Sequence, residues 1–230
     1  TMGALHKGHI SLIRMGKKKT NKIIVSIFIN PSQFNEKKDY LKYPRYINKD
    51  ISILKKLKVD YLFLPNVSEI YKKDVSRKIN ISKKDKILCA KYRKGHFEGV
   101  LAVVNRFMQK IKAKYIFFGE KDFQQIHLIK KYLSKKNDIK IISCKTIRNQ
   151  NKLPLSSRNI LLSKKSLIKS EKISKLLFNF SNKIKNNINN TNLLKTYKIK
   201  INKLCDKIEY LEIRNLKNLS NKLSKNNSKI

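Results

Sequence analysis

The chain has 230 residues, enough for a sizeable core in one large domain or two smaller ones. Its 55 Lys and Arg against 15 Asp and Glu give a formal charge of +40, yet the lysines are scattered through every element and Asn and Ile are in excess, which reads as compositional drift and excludes a nucleic-acid stripe. No apolar run approaches the roughly 18 residues of a membrane span, no secretory leader is visible, and Cys89, Cys144 and Cys205 lie far apart without metal spacing, so a cytoplasmic protein without membrane or nucleic-acid partner is expected.

In chain order, His6-Lys7-Gly8-His9 stands where a loop turns into a first helix. Residues 22–29 form an apolar β-branched run, the mark of a strand buried on both faces, and end at the turn signal Asn30-Pro31. Apolar spacing at Ile47, Ile51, Ile53, Leu54 and Leu57 predicts a helix over 46–57. A strand is expected at 61–65, an edge strand at 79–81, a helix over 100–111, a strand at 115–119, a helix over 122–133 and a strand at 139–144. Strands alternating with helices imply an α/β fold with a doubly wound parallel sheet, and ligands lie beyond the carboxyl ends of such strands. Past residue 148 the pattern changes to helices over 164–189 and 192–206, with an Asn-rich linker at 186–192 and a strand at 208–213. Residues 215–230 are weakly patterned. The expected division is a domain over 1–147 and a smaller, incomplete α+β domain over 148–230.

Where Lys has replaced Arg so widely, the remaining Arg, Gly, Pro and His mark places where their chemistry matters. Several of these survivors gather in five windows: His6 to His9, Asn30 to Phe34, Tyr92 to Val100, Gly119 to Gln125, and Leu155 to Asn159. Two imidazoles three residues apart share one side of a helical turn. With the free N–H groups and dipole of a helix start they make a clamp for a nucleotide triphosphate, although capping or packing histidines would look the same. Gly3 and Gly8 would let backbone approach phosphate. Lys121, just past a strand, is a point charge suited to phosphate oxygens, and Asp122 either holds ribose hydroxyls or caps the helix that begins there. The hydroxyls of Ser156 and Ser157 and the fork of Arg158 suit β and γ phosphates. No Ser or Cys lies in a nucleophile elbow.

Read together, TMGALHKGH, VSIFINPSQF, KYPR, RKGHFEGV, FGEKDFQQ and LSSRN resemble the pantoate–β-alanine ligase family along essentially all of residues 1–160. The C-terminal third matches only loosely, around Leu211 to Arg214. The resemblance implies a Rossmann-like domain in which ATP, with Mg2+, adenylates the carboxylate of (R)-pantoate, after which β-alanine attacks the adenylate to give pantothenate and AMP. It implies catalytic roles for His6, His9, Lys121, Ser156, Ser157 and Arg158, with His9 in the position of a proton donor. It implies an ATP site made by Met2, Gly3, Ala4, Leu5, His6, Lys7, Gly8, His9, Gly119, Glu120, Lys121, Asp122, Ile147, Leu155, Ser156, Ser157 and Arg158, with the backbone at Ile147 against adenine. Gln33 and Gln125 match pantoate-binding positions, Asn30 lines the same pocket, and Arg93 and His96 lie in a variable loop beside it. Asp39 is the candidate for Mg2+. The resemblance also implies a homodimer and a lid role for 148–230.

Two departures follow. The chain begins where the family's first strand is ending, which reads as a fragment whose sheet would lose its central first strand. The family's closing strands after Glu212 are largely absent as well. The alternatives are a related HxGH nucleotidyltransferase, which would not need Gln33 and Gln125, an inactive fragment of the ligase, and a basic binding protein, which would not need the GEKD and LSSR windows.

Overall fold

The computed structural model describes residues 2–71, 79–134, 138–185, 188–223 and 228–229. They divide into two compact units, one made of 1–147 with 155–158 and the other of 148–154 with 159–230.

In the first unit, helices α1 (Lys7–Lys17), α2 (Lys37–Lys42), α3 (Ile47–Lys56), α4 (Val67–Ile70), α5 (Cys89–Tyr92), α6 (His96–Lys110) and α7 (Phe123–Leu133) accompany strands β1 (Ile24–Ser26), β2 (Tyr61–Phe63), β3 (Tyr115–Gly119) and β4 (Lys140–Cys144). All four strands pair in parallel, as the alternation of elements predicts, but they do so two by two. β1 and β2 run from Ile24 opposite Tyr61 to Ser26 opposite Phe63. β3 and β4 run from Tyr115 opposite Lys140 to Gly119 opposite Cys144. An apolar groove of about 690 Å³ lies between the pairs, lined by Ile24 and Val25 on one side and Ile116 and Phe118 on the other. Met2 already begins a ladder on its β1 side, donating its N–H to the Ser26 carbonyl at 2.8 Å and accepting from Phe28 N–H at 3.2 Å.

The main core joins α6 and α7 to β3, with Leu101, Val103, Leu128, Ile129 and Leu133 almost wholly buried. α6 starts four residues before its expected position because Gly95, at φ +78, turns the chain into it. No strand forms at 79–81: Ile81 is buried in the core, and the next N–H, that of Ser82, donates to the Tyr132 hydroxyl at 2.7 Å. The 22–29 run is a strand only over its middle, with Ile27 bridging to Met2.

In the second unit, α8 (Lys164–Ile184) starts at Ser163, whose hydroxyl accepts from Ser166 N–H, and α9 (Thr191–Asn202) starts at Asn190, whose amide oxygen accepts from Leu193 N–H. Phe180, Ile184 and Tyr197 form their shared core. The expected strand at 208–213 is absent; Leu211 and Ile213 pack on that core from irregular backbone, and a two-residue antiparallel pair, β5 (Arg214–Asn215) with β6 (Ser228–Lys229), follows. Of the expected linker, residues 186 and 187 lie outside the described residues.

Candidate active site

Because β3 and β4 end in register at Gly119 and Cys144, the turns Glu120-Lys121-Asp122 and Lys145-Thr146-Ile147 leave the sheet at the same carboxyl end. A cavity of about 260 Å³ opens there. The residues between Met2 and His6 approach it as a loop held from both sides. Ala4 and Leu5 donate their N–H groups to the two carboxylate oxygens of Asp50 at 2.8 and 2.7 Å. The Ser157 hydroxyl lies 2.9 and 3.1 Å from the carbonyls of Gly3 and Ala4. Asp50 comes from α3 and is 1% exposed. Ala4 sits at φ +49, a conformation that a non-glycine residue keeps only where its surroundings fix it.

His6 caps α1. Its Nδ1 accepts from Gly8 N–H at 3.0 Å, and the Nδ1 of His9 accepts from His6 N–H at 3.4 Å. A backbone N–H only donates, so neither Nδ1 carries the proton, and the neutral rings are Nε2–H tautomers. Burial, then the charge of Lys121, lowers the His6 pKa. Burial, then the neighbouring His6 ring, pushes that of His9 down to about 3. Both imidazoles are therefore neutral donors near pH 7, and His9 is not an imidazolium proton donor in the free protein. A Cβ on Gly8 would stand 2.7 Å from Cε1 of His6, so this glycine makes room for the imidazole ring.

The same cavity is lined by Lys121, Asp122, Lys145 and Ile147 from the strand ends, by Leu155, Ser156, Ser157 and Arg158, and by Gln33, Arg93, His96 and Gln125. Lys121 Nζ lies 3.7 Å from Asp122 Oδ2. Asp122 stands at the N-cap of α7 without a side-chain capping bond. Arg158 grips Asp39 through Nε and Nη2 at 3.2 and 3.0 Å, and its guanidinium lies over the rings of Tyr43 and Phe34. His96 Nδ1 is 2.5 Å from the Gln33 carbonyl. A carbonyl only accepts, so here Nδ1 carries the proton; burial lowers this pKa too, against the hydrogen bond that raises it.

The family model for pantoate–β-alanine ligase matches residues 1–230. The chain is 40% identical over 221 residues to the pantothenate synthetase of Pseudothermotoga lettingae, covering 93% of this chain and 77% of the relative. It is 41% identical over 228 residues to that of Wigglesworthia glossinidia brevipalpis, covering 95% and 79%. The chain belongs to the pantoate–β-alanine ligase family. Its fold superimposes on the crystal structure of pantothenate synthetase from Thermus thermophilus with a TM-score of 0.89 at 27% identity, covering 95% of this chain and 80% of that one. The ligase from Francisella tularensis, complexed with β-γ ATP and β-alanine, gives 0.79 at 41% identity, covering 88% and 75%.

Measured against what the family resemblance implies, the structure brings most of the expected residues to one cavity and leaves others outside its wall. Gly3, Ala4, Leu5, Lys7 and Glu120 are not among its lining residues, nor are Asn30 and Asp39. Ala4 and Leu5 have their N–H groups on Asp50, so they shape the loop from behind. Ser157 is buried and turned to the Gly3 and Ala4 carbonyls, which makes it a brace for the same loop. Asn30 is 0% exposed and fully engaged by protein groups. Sequence reasoning missed Asp50 and Lys145. Asp50 did leave a signal, since it shares a helical face with Ile53, Leu54 and Leu57, and a carboxylate at a core-facing position needs partners. Lys145 was hidden among the lysines.

The lowered histidines carry a stability consequence. The unfolded chain binds a proton at His9 below its ordinary value of 6.5, whereas the folded chain refuses it down to about 3. Stability is thus fully present above pH 6.5 and is lost as pH falls from there toward 3. Between pH 7 and pH 5 His9 alone should remove about 2 kcal/mol. Urea melts at the two pH values should show it, and His9→Gln should shrink the difference; an unchanged midpoint at pH 5 would contradict it.

Proposed function

We propose that this chain condenses pantoate with β-alanine through a pantoyl adenylate formed from ATP. The observation that carries the reading is the meeting, in one cavity, of two neutral imidazole donors, the cations Lys121, Lys145 and Arg158, and the amides Gln33 and Gln125. A carboxylate oxygen of pantoate attacks the α-phosphorus and pyrophosphate leaves. The β-alanine nitrogen then attacks the acyl carbon, AMP leaves with the shared oxygen, and the amine gives up its proton. Charge grows on the phosphate oxygens during the first step, and donors fixed beforehand stabilise it without reorganising. His6 and His9 supply Nε2–H groups there, and Lys121 and Lys145 supply charge. Arg158 joins them at little cost, because its half-exposed pair with Asp39 is worth at most about 1 kcal/mol. The amides of Gln33 and Gln125 orient the hydroxy acid without neutralising its nucleophilic carboxylate.

The reading includes Mg2+ brought in with ATP, where it would neutralise phosphate charge. Among the described residues no group of three or more His, Cys, Asp or Glu gathers, while Asp39 and Asp122 already face Arg158 and Lys121. That donor set fits a cation held through phosphate oxygens and water with one carboxylate at most, Asp39 or Asp122. We further place the protein in the cytoplasm as a homodimer; among the described residues no helix is long and apolar enough to cross a membrane.

The test is isotopic. With pantoate labelled by ¹⁸O in its carboxylate, one label should appear in AMP and pantothenate should form in equal amount. Production of ADP and phosphate, or unlabelled AMP, would overturn the adenylate. Lys121→Ala should lower the rate of AMP formation by about 10- to 100-fold with an unchanged melting temperature, since it removes an exposed charge and no packing. A rate within twofold of the parent would remove Lys121 from the phosphate site.

A further inference from the structure

Asn30 is wholly buried, and each end of its amide meets a backbone group whose role is fixed. Its Oδ1 accepts from the Tyr71 hydroxyl at 2.6 Å, from the Ser32 hydroxyl at 2.9 Å and from Ser32 N–H at 3.3 Å. Its Nδ2 donates to the Gly99 carbonyl at 3.2 Å and to Gln33 Oε1 at 3.4 Å. A backbone N–H only donates and a carbonyl only accepts, so the amide has one orientation. That orientation reaches Gln33. Oε1 of Gln33 is thus engaged by the Asn30 N–H, while its Nε2 offers two donors and no acceptor.

Tyr71 follows α4, far in sequence from this turn, and Arg106 of α6 lies over its ring at 5.0 Å. The first turn of α6 presses on the same turn from another direction. A Cβ on Gly99 would come within 2.3 Å of the Ser32 carbonyl oxygen, an approach only glycine permits. Tyr71 does not line the cavity, yet it supplies the shortest hydrogen bond on the amide that sets the polarity of Gln33.

We propose that Tyr71 is a positioning residue that strengthens the site's preference for an oxygen acceptor, a hydroxyl or carboxylate, by holding Gln33 Oε1 through Asn30 so that the Nε2 donors of Gln33 serve the cavity. The proposal rests on the reading that this cavity binds the hydroxy acid. Its test is a double-mutant cycle with Tyr71→Phe, which keeps the ring under Arg106 and removes only the hydroxyl, and Gln33→Ala. In pantoate-dependent exchange of pyrophosphate into ATP, Tyr71→Phe should raise KM for pantoate about five- to tenfold. The kcat and the KM for ATP should stay within experimental scatter of the parent, and the melting temperature should fall by only a few degrees. In the Gln33→Ala background the same change should raise KM no further. An unchanged KM in the single variant, or an equal rise in both backgrounds, would overturn the role of Tyr71. An unaltered chain that exchanges pyrophosphate without needing pantoate would instead overturn the functional reading, and this assignment with it.

Discussion

Asp50→Asn should lower pyrophosphate exchange by about 100-fold and destabilise the fold by about 3 kcal/mol. The two carboxylate oxygens of Asp50 hold the N–H groups of Ala4 and Leu5. An asparagine offers one acceptor oxygen and turns an NH₂ toward the second N–H, which leaves a buried donor unpaired at about 1–3 kcal/mol, with a further loss because a charged acceptor has gone. The loop must then shift, carrying His6 and His9 with it, and a displacement near 1 Å at reacting groups costs on the order of 10²-fold. The end of the cavity proposed for pantoate is built on the Asn30 turn and α6, so pantoate binding measured alone should persist. That binding separates a misplaced loop from an unfolded protein. Exchange within threefold of the parent at a temperature where both are folded would show that the loop does not depend on Asp50.

His9→Ala should reduce adenylate formation by about 10²- to 10³-fold, the usual consequence of removing one fixed donor from a developing oxyanion. Because His9 acts as a neutral Nε2–H group, His9→Gln, whose amide donor has similar reach and no charge, should retain more activity than His9→Ala. Single-turnover formation of adenylate measures both. Equal loss in the two variants would mean that His9 contributes something a neutral donor cannot, such as a transferable proton. His9→Ala also removes the acceptor of the His6 N–H at the start of α1, while the His6 ring keeps its own bond to Gly8 N–H.

The sequence made the parallel α/β frame legible because buried parallel strands are apolar runs between helical spacings, and β3 and β4 match theirs to within a residue. It failed at 208–213 and 79–81 for one reason: Leu211, Ile213 and Ile81 are apolar because they pack against helices, and apolar packing needs no ladder. The windows that line the cavity were legible through their rare residues. What stayed hidden were the braces. Asp50, Asn30, Ser157 and Tyr71 work by fixing other groups, and their partners lie up to 154 residues away in the chain. Spacing along a sequence does not encode such pairings. For the same reason the bonds that tie Asn30 and Ser157 to the protein could not be read from the sequence.

Pantoate should be activated on ATP in this one cavity before β-alanine takes part. Exchange of labelled pyrophosphate into ATP, measured without β-alanine, tests it most directly. Exchange should appear with pantoate and vanish without it. No exchange with pantoate and ATP together, or exchange at the same rate in the absence of pantoate, would contradict it.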